Sequence, residues 1–473
     1  MDVLRFPLVG SFIRWRHSRT LLQLGLLVVA AAVVVHGLFG SDIAPRNLST
    51  VLTSIHWRGL LVVALVVVGN LFCTACPMIA VRDAGRRIVP PRFTWPRRLR
   101  RKWLALALLV LVLFSYELFD LWEAPAATAY LVLGYFLAAL IVDLLFKGAS
   151  FCKHVCPIGQ FNFIASTMSP TELQIRDADT CHGCRTFDCI KGQRTAAEPV
   201  RIVQRGCELG LFLPGKVGNL DCTLCLDCVH ACPHDNIALI TRVPGLELLE
   251  TRRRSGIGRL ADRLDIATLA VVFACAALIN AFAMTAPGVA LEGHLAAFLH
   301  VRSEAVVLGL LFVAALGAVP IVLLGGAAAV TRAVAGESAS PLHFVARRYA
   351  FALVPLGFGI WLAHYGFHLL TGVLTVVPVS QSAALDLFGW AALGDPFWRW
   401  TGMSPGAVYP IQIGLVAIGA CGSAGLMWAI SSREYPSVPG RASAPWLTVL
   451  VILTVAAFWI LGQPMDMRGL AIG

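Results

Sequence analysis

The 473-residue sequence is short of charge and has almost no lysine. Charged residues make up 14% of it, and its 38 basic residues are 33 Arg and 5 Lys, where a soluble chain carries about 25% charge. That shortage excludes a secreted enzyme, a disordered tail and a nucleic-acid-binding domain. The chain also lacks a Gly-rich nucleotide motif, a phosphate loop and a Ser-His-Asp pattern, so nothing in view carries direct catalysis on a small substrate. Cysteine is nearly missing from the second half: of 14, only Cys275 and Cys421 follow Cys232.

What the chain has instead is apolar length. Hydrophobic residues reach 58% and gather into blocks near the twenty residues or so that a helix needs to cross a hydrocarbon core about 30 Å thick. Nine spans are predicted, at Leu21–Gly40, Gly59–Cys76, Trp103–Phe119, Ala126–Phe146, Ile266–Pro287, Ala305–Val330, Tyr349–Val377, Val408–Ile430 and Trp446–Leu461. The first block is too long for a signal peptide, and Leu38 to Ala44 offers no small-residue cleavage site, so it reads as a retained anchor.

Basic residues in short connections set orientation. With the N-terminus inside, the inside segments hold 18 Arg and Lys, nine of them between Arg82 and Lys102. The outside segments hold Arg46, Arg58, Arg302, Arg399 and Arg468. The net charge of +11 is therefore mostly topology, and the Arg82–Lys102 run reads as contact with anionic lipid, with an acidic redox partner as the alternative and no nucleic acid. The long hydrophilic stretch Gly148 to Arg263 falls on the inside, in the cytoplasm. It divides the chain into residues 1–147, a four-helix membrane domain, 148–264, a soluble insert, and 265–473, a five-helix membrane domain.

The insert carries the chemistry. Cys222-Thr-Leu-Cys225-Leu-Asp-Cys228-Val-His-Ala-Cys232-Pro233 is the C-x2-C-x2-C-x3-C-P run of bacterial ferredoxins, in which three thiolates wrap one cluster and the fourth Cys ligates the other. A second set is then required, and Cys181, Cys184, Cys189 and Cys207 supply it with wider spacing. Crossing over assigns Cys181, Cys184 and Cys189 with Cys232 to one cluster, and Cys222, Cys225 and Cys228 with Cys207 to the other. Zinc fits a run ending in Cys-Pro poorly, and disulfides fit an inside location poorly.

Two further pairs, Cys73-Thr-Ala-Cys76-Pro77 and Cys152-Lys-His-Val-Cys156-Pro157, stand at span ends on the same predicted face. Proline halts a helix, which leaves these thiols free to converge on a metal, a further cluster or a redox-active disulfide. Lys153 and His154 are expected to lower the thiol pKa of the second pair.

On these residues the chain resembles the polytopic membrane ferredoxins, the group of NapH, NosR and the CcoG-type proteins. The resemblance covers about residues 60 to 240 and rests on Cys152–Pro157 with Gly159-Gln160, and on Cys222–Pro233. Cys73-Thr-Ala-Cys76 departs from it, with two residues between cysteines where the family usually has three, as does the irregular Cys181–Cys207 half. It implies electron transfer between the quinone pool or cytoplasmic carriers and a terminal reductase or maturation step.

The second half lies outside the resemblance. His364 and His368 stand one turn apart on one face of a span, and ionisable groups at membrane depth usually face an interior or a site. They are candidates for a metal, a haem or a quinone pocket, or for hydrogen bonds to neighbouring helices, with His36 as the one other intramembrane histidine. Asp143 and Glu117 read as snorkelling at span ends, His294 and His300 as an outer loop, Cys275 and Cys421 as helix-packing residues, and Trp390, Trp398 and Trp400 as an interfacial belt.

The expected fold is an all-α polytopic membrane protein of about nine transmembrane helices with an inserted small α+β ferredoxin-like domain binding two 4Fe-4S clusters. The expected role is an inner-membrane electron-transfer component rather than a stand-alone enzyme, with membrane lipid and a quinone or redox protein as partners. Copper reduction and handling for respiratory enzyme assembly is the alternative, and cluster-based oxygen sensing a third reading.

Overall fold

The computed structural model describes residues 1–195, 202–336 and 340–464; Arg468 lies outside them. Among the described residues eight helices are long and apolar enough to cross a membrane: Ser18–Phe39, Leu48–Val67, Pro125–Leu145, Leu264–Ala283, Glu304–Ala335, Leu342–Phe388, Pro405–Glu434 and Pro439–Leu461. The ninth expected span is the shorter apolar helix Trp103–Leu118, of 16 residues. At 1.5 Å per residue it is about 24 Å long, less than a full hydrocarbon core. The chain is a multi-pass membrane protein.

The second span differs most from expectation. It starts at Leu48 and stops at Val67, because Gly69 takes φ +81°, a left-handed conformation that ends a helix and suits glycine. Cys73 therefore rides on a separate short helix, Leu71–Ala75. Within the span, Leu52–Trp57 is π-helical, and the Thr53 hydroxyl donates to the Ser49 carbonyl there, a bond that competes with the regular ladder. The earlier start corrects two expectations. Arg58 lies inside this span rather than in an outer loop, and His56 joins His36 as a histidine at membrane depth.

By internal contacts the chain forms two units. The first comprises Met1–Ala30, Ala64–Leu108 and Gly134–Arg263, the second Ala31–Val63, Leu109–Leu133 and Leu264–Gly473. In the first unit, β1 (Thr171–Ile175) pairs antiparallel with β4 (Ile237–Thr241), Leu173 opposite Leu239. Alternation along β1 turns Leu173 into a core of Leu4, Leu209, Leu211, Leu213, Leu224, Val229 and Leu239 that also contains Cys222 and Cys228. Between these strands in sequence, β2 (Gln193–Arg194) pairs with β3 (Ile202–Gln204).

In the second unit the helix Val354–Gly372 is buried on nearly all sides, as expected of a helix apolar all round. A Cβ on Gly359 would meet the Leu415 carbonyl oxygen at 2.8 Å, and one on Gly419 would meet that of Pro355 at 2.6 Å. Small residues let these backbones approach closely. Tertiary 3-10 turns at Phe351–Leu353 and Val373–Thr375 bound this helix.

Several single-residue expectations are overturned. Asp143 does not snorkel: it is 2% exposed and accepts from the Phe151 N–H at 2.8 Å. Glu117, also buried, accepts from Asn280 Nδ2 at 2.9 Å. In both cases a nearby donor offsets the burial of a carboxylate. Cys275 is buried as expected, whereas Cys421 is exposed. His294 belongs to a helix, Ala286–Leu299, rather than a loop. The Arg82–Lys102 run is only partly a lipid-facing stripe, since Arg82 and Lys102 are buried and Arg86 bonds the Asp143, Phe146 and Gly148 carbonyls.

Candidate functional site

The cysteine loops are built on backbone that L-residues rarely adopt. Asp221, Leu224 and Leu226 have φ of +65°, +51° and +65°, and Phe187 has +55°. Such residues cost about 1–2 kcal/mol each, and in alternation with right-handed ones they turn successive N–H groups into an anion-binding concavity of the kind found at Fe–S sites. Leu226 leads into the short helix Asp227–Ala231, and Phe187 leads into Asp188–Lys191. Each half thus places its third cysteine with one device: a left-handed residue, an aspartate, then Cys189 or Cys228. The wider spacing of the first half is two residues inserted ahead of an unchanged turn.

These turns bring the cysteines into two groups. Cys181, Cys184, Cys189 and Cys232 line one cavity, closed by Ile175, Phe187 and Leu213. Asn236 ties the distant members together, its Nδ2 donating to Cys181 Sγ at 3.3 Å and its backbone N–H to Cys232 Sγ at 3.4 Å. Burial, then Cys232, Cys181 and Cys184, push the Cys189 thiol up to about 11. The Phe187 N–H and the Thr186 hydroxyl lower the Cys184 thiol.

The second group is Cys207, Cys222, Cys225 and Cys228. Burial and the proximity of Cys222 and Cys207 hold the Cys228 thiol far above its ordinary range. Burial, then Asp227, do the same to Cys225, opposed by Arg19, which pairs with Asp227 at 2.8 Å. The Leu211 N–H donates to Cys207 Sγ at 3.4 Å. Crowded, buried thiols of this kind resist ionisation until a metal charge inverts the local balance. Among the described residues no three Cys, His, Asp or Glu converge as on a single ion; the two groups are looser sets, and their donors, N–H contacts and apolar shell fit sulfur-bridged clusters.

A separate cavity is lined by all four remaining N-terminal thiols, Cys73, Cys76, Cys152 and Cys156, with Arg82 and Asp143 in its wall. The Cys-Pro steps do more than stop a helix. Pro77 and Pro157 each open a new one, Pro77–Ile88 and Pro157–Ala165, as proline's preset φ favours at a first helical position. Cys156 caps its helix by accepting from the Gly159 N–H at 3.2 Å, and Asn162 Nδ2 lies 3.5 Å from Cys73 Sγ.

The expectation for Lys153 and His154 fails. Burial holds the Cys152 thiol well above its ordinary range, and Arg82 opposes this only in part. Lys153 Nζ is spent on the Leu209 carbonyl. His154 stacks on Trp95 at 5.2 Å, and burial, then Lys102 and Lys153, lower it to about 3, leaving it neutral.

A charge network that is not legible in the sequence lies beside this cavity. Arg82, 1% exposed, contacts Glu208 at 2.7 Å, Asp83 at 2.8 Å and Asp143 at 3.6 Å. Burial alone would raise the Glu208 carboxyl, but Arg82 and Arg19 more than offset it and hold it at about 2. Composition gave no sign of this; only the nearness in space of Asp83, Asp143 and Glu208 does.

The chain is 28% identical to the regulatory protein NosR of Pseudomonas aeruginosa over 225 residues, 43% of this chain and 29% of NosR. It is 27% identical to the ferredoxin-type protein NapH of Escherichia coli over 187 residues, 37% of this chain and 62% of NapH. The resemblance to NapH- and NosR-type proteins holds. An uncharacterized protein of Methanocaldococcus jannaschii is 24% identical over 202 residues, 40% of this chain and 70% of that protein. No family model matches, and no solved structure matches. The chain thus spans less than two thirds of NosR and of NapH.

The other candidate residues lie in the second unit. His36 is fully engaged, with Nε2 at 3.0 Å from Asp386 and Nδ1 accepting from the Leu48 N–H at 2.9 Å. His364 and His368 are buried, their rings 4.9 Å apart and nearly perpendicular. Neither His364 nitrogen has a hydrogen-bond partner, nor has His368 Nε2.

Proposed function

We propose that this chain is a membrane-bound iron-sulfur electron-transfer protein carrying two 4Fe-4S clusters, one on Cys181, Cys184, Cys189 and Cys232, the other on Cys207, Cys222, Cys225 and Cys228. The observation that carries this reading is the grouping of Cys232 with the distant Cys181, Cys184 and Cys189 around one cavity, the cross-over that a two-cluster ferredoxin run requires. A bound cluster of this kind supplies one-electron redox chemistry. The chain's own residues shape its potential: Asn236 and the Leu211 N–H donate to sulfur, the leucine core excludes water, and Arg19 supplies positive charge beside Cys225. The acceptor or donor on this reading is a quinone or a redox protein. The protein sits in a bacterial inner membrane with its N-terminus and cysteine-rich insert in the cytoplasm, as the distribution of Arg and Lys favours.

Anaerobic purification with iron and acid-labile sulfide quantified, and electron paramagnetic resonance on the reduced sample, tests the proposal. About eight of each per chain is the expected content; iron and sulfide no higher than about four per chain would defeat the two-cluster reading.

The gathering of Cys73, Cys76, Cys152 and Cys156 around one cavity favours a second reading, in which these soft donors take and reduce copper with the clusters as electron source. His364 and His368 belong to the other unit, so the thiols carry this reading. Copper bound in proportion to free thiol and lost in Cys152→Ser and Cys156→Ser supports it; unchanged copper removes it.

A further inference from the structure

A short helix, Pro7–Arg14, stands ahead of the first span, Ser18–Phe39. Trp15 ends it in extended backbone, φ −67° and ψ 123°, so the two helices are not one continuous rod. At 3.6 residues per turn, Leu8, Phe12 and Trp15 fall on one side of it and Gly10 and Ile13 on the other. The second side is docked. A Cβ on buried Gly10 would collide with the Leu4 carbonyl, and Ile13 and Val3 pack against the leucine core that contains Cys222 and Cys228. The Met1 carbonyl accepts from the Thr241 N–H at 2.9 Å, Asp2 pairs with Arg176 at 3.0 Å, and Arg14 with Asp235 at 3.2 Å. Both ends of the segment are thus fastened to the cysteine-rich insert.

The first side is bare. Leu8 is 87% exposed, and Phe6, Val9, Phe12 and Trp15 are exposed with it, a run of large apolar groups of the kind that marks an interaction surface. Its surroundings say what covers it. Three residues beyond Arg14 the chain enters a membrane span, whose exposed Leu21, Leu24 and Val28 carry the apolar surface onward. Exposed Arg5 and Arg16 flank the face in sequence, and Asp2, already paired with Arg176, is the one acidic residue ahead of Ser18. Apolar side chains with a tryptophan, bordered by arginine, suit the boundary between head groups and acyl chains. We infer that Pro7–Arg14 lies in the plane of the membrane interface, its Leu8, Val9, Phe12 and Trp15 side among the upper acyl chains and Arg5 and Arg16 at anionic phospholipid head groups, and that its docked side sets the cysteine-rich insert at that surface. This inference needs the multi-pass fold and is independent of whether the insert binds iron.

Photo-cross-linking of the full chain tests it. p-Benzoylphenylalanine is placed in turn at Phe12 and at Leu8, positions that leave the packed side untouched, and an unchanged unfolding temperature establishes that each labelled protein is folded. Irradiated in the membranes of the expressing cells, both are expected to give phospholipid adducts about tenfold more abundant than protein adducts. In nanodiscs of phosphatidylcholine mixed with phosphatidylglycerol, the phosphatidylglycerol adduct is expected to exceed its share of the mixture about twofold or more, and to fall back to that share when Arg5→Gln and Arg16→Gln are combined. Protein adducts that dominate at either position overturn the inference by showing that a partner or a second copy covers the face. No adduct at all overturns it by showing that the face meets water, and enrichment that the arginine changes leave intact overturns the head-group contact.

Discussion

The side-chain amide of Asn236 donates to the sulfur of Cys181 at 3.3 Å. The same residue's N–H reaches Cys232, so one side chain and its own backbone join thiols 51 positions apart in sequence. A donor to sulfur stabilises the more negative, reduced form of a cluster. Asn236→Ala is therefore expected to lower the midpoint potential of the cluster on Cys181, Cys184, Cys189 and Cys232 by about 20–60 mV, taking a hydrogen bond as about 0.5–1.5 kcal/mol and a one-electron couple. A redox titration followed by electron paramagnetic resonance reads it, with the other cluster as internal control. Equal shifts of both signals would count against the assignment.

Cysteine substitutions test the cross-over directly. Cys232→Ser is expected to remove the same spectral component as Cys181→Ser, and Cys207→Ser the same component as Cys225→Ser, with iron falling from about eight to about four per chain in each case. If Cys232→Ser instead matches Cys222→Ser, each run holds its own cluster and the pairing is wrong.

Arg82 and Arg205 share the partners Asp83 and Glu208 but differ in burial. Arg82→Gln leaves buried carboxylates uncompensated, a loss of about 3–5 kcal/mol. Arg205, 48% exposed at its side chain, is expected to give about 1 kcal/mol or less on the same change. Thermal unfolding of the two variants in one detergent should show a large fall for the first and little for the second.

Acid should weaken the first unit in two stages. His154, lowered to about 3 from 6.5, binds a proton more readily when unfolded, so its contribution is present above pH 6.5 and declines as pH falls toward 3. Glu208, lowered to about 2 from 4.5, contributes fully above pH 4.5 and is lost as pH falls toward 2. His154→Phe, which keeps the stack on Trp95, is expected to flatten the dependence of unfolding temperature on pH between 5 and 7. A variant as pH-sensitive as the parent would show that another group titrates there.

Legibility in the sequence followed the strength of the local constraint. Apolar length placed the helices because nothing else satisfies backbone groups in hydrocarbon. The cysteine run announced itself because ligand spacing is set by the metal centre rather than by packing. The end of the second span is not legible in its hydropathy, because the apolar stretch continues past Gly69 and one left-handed glycine leaves no mark on composition. In the sequence Arg82 is one of a charged run, because two of its three acidic partners, Asp143 and Glu208, come from distant stretches of chain. His368 was noticed at its helical spacing, but only the fold around it shows which nitrogen lacks a partner.

The paired turns at Phe187 and Leu226 bear on how such proteins are found. Removing Arg185 and Thr186 on paper turns the first half into the same C-x2-C spacing as the second, with Phe187-Asp188-Cys189 aligned on Leu226-Asp227-Cys228. The two arms share one turn and differ only in the length of the lead-in. A search keyed to intervals between cysteines passes over the first arm; one keyed to the bulky residue and aspartate ahead of the third cysteine retrieves both.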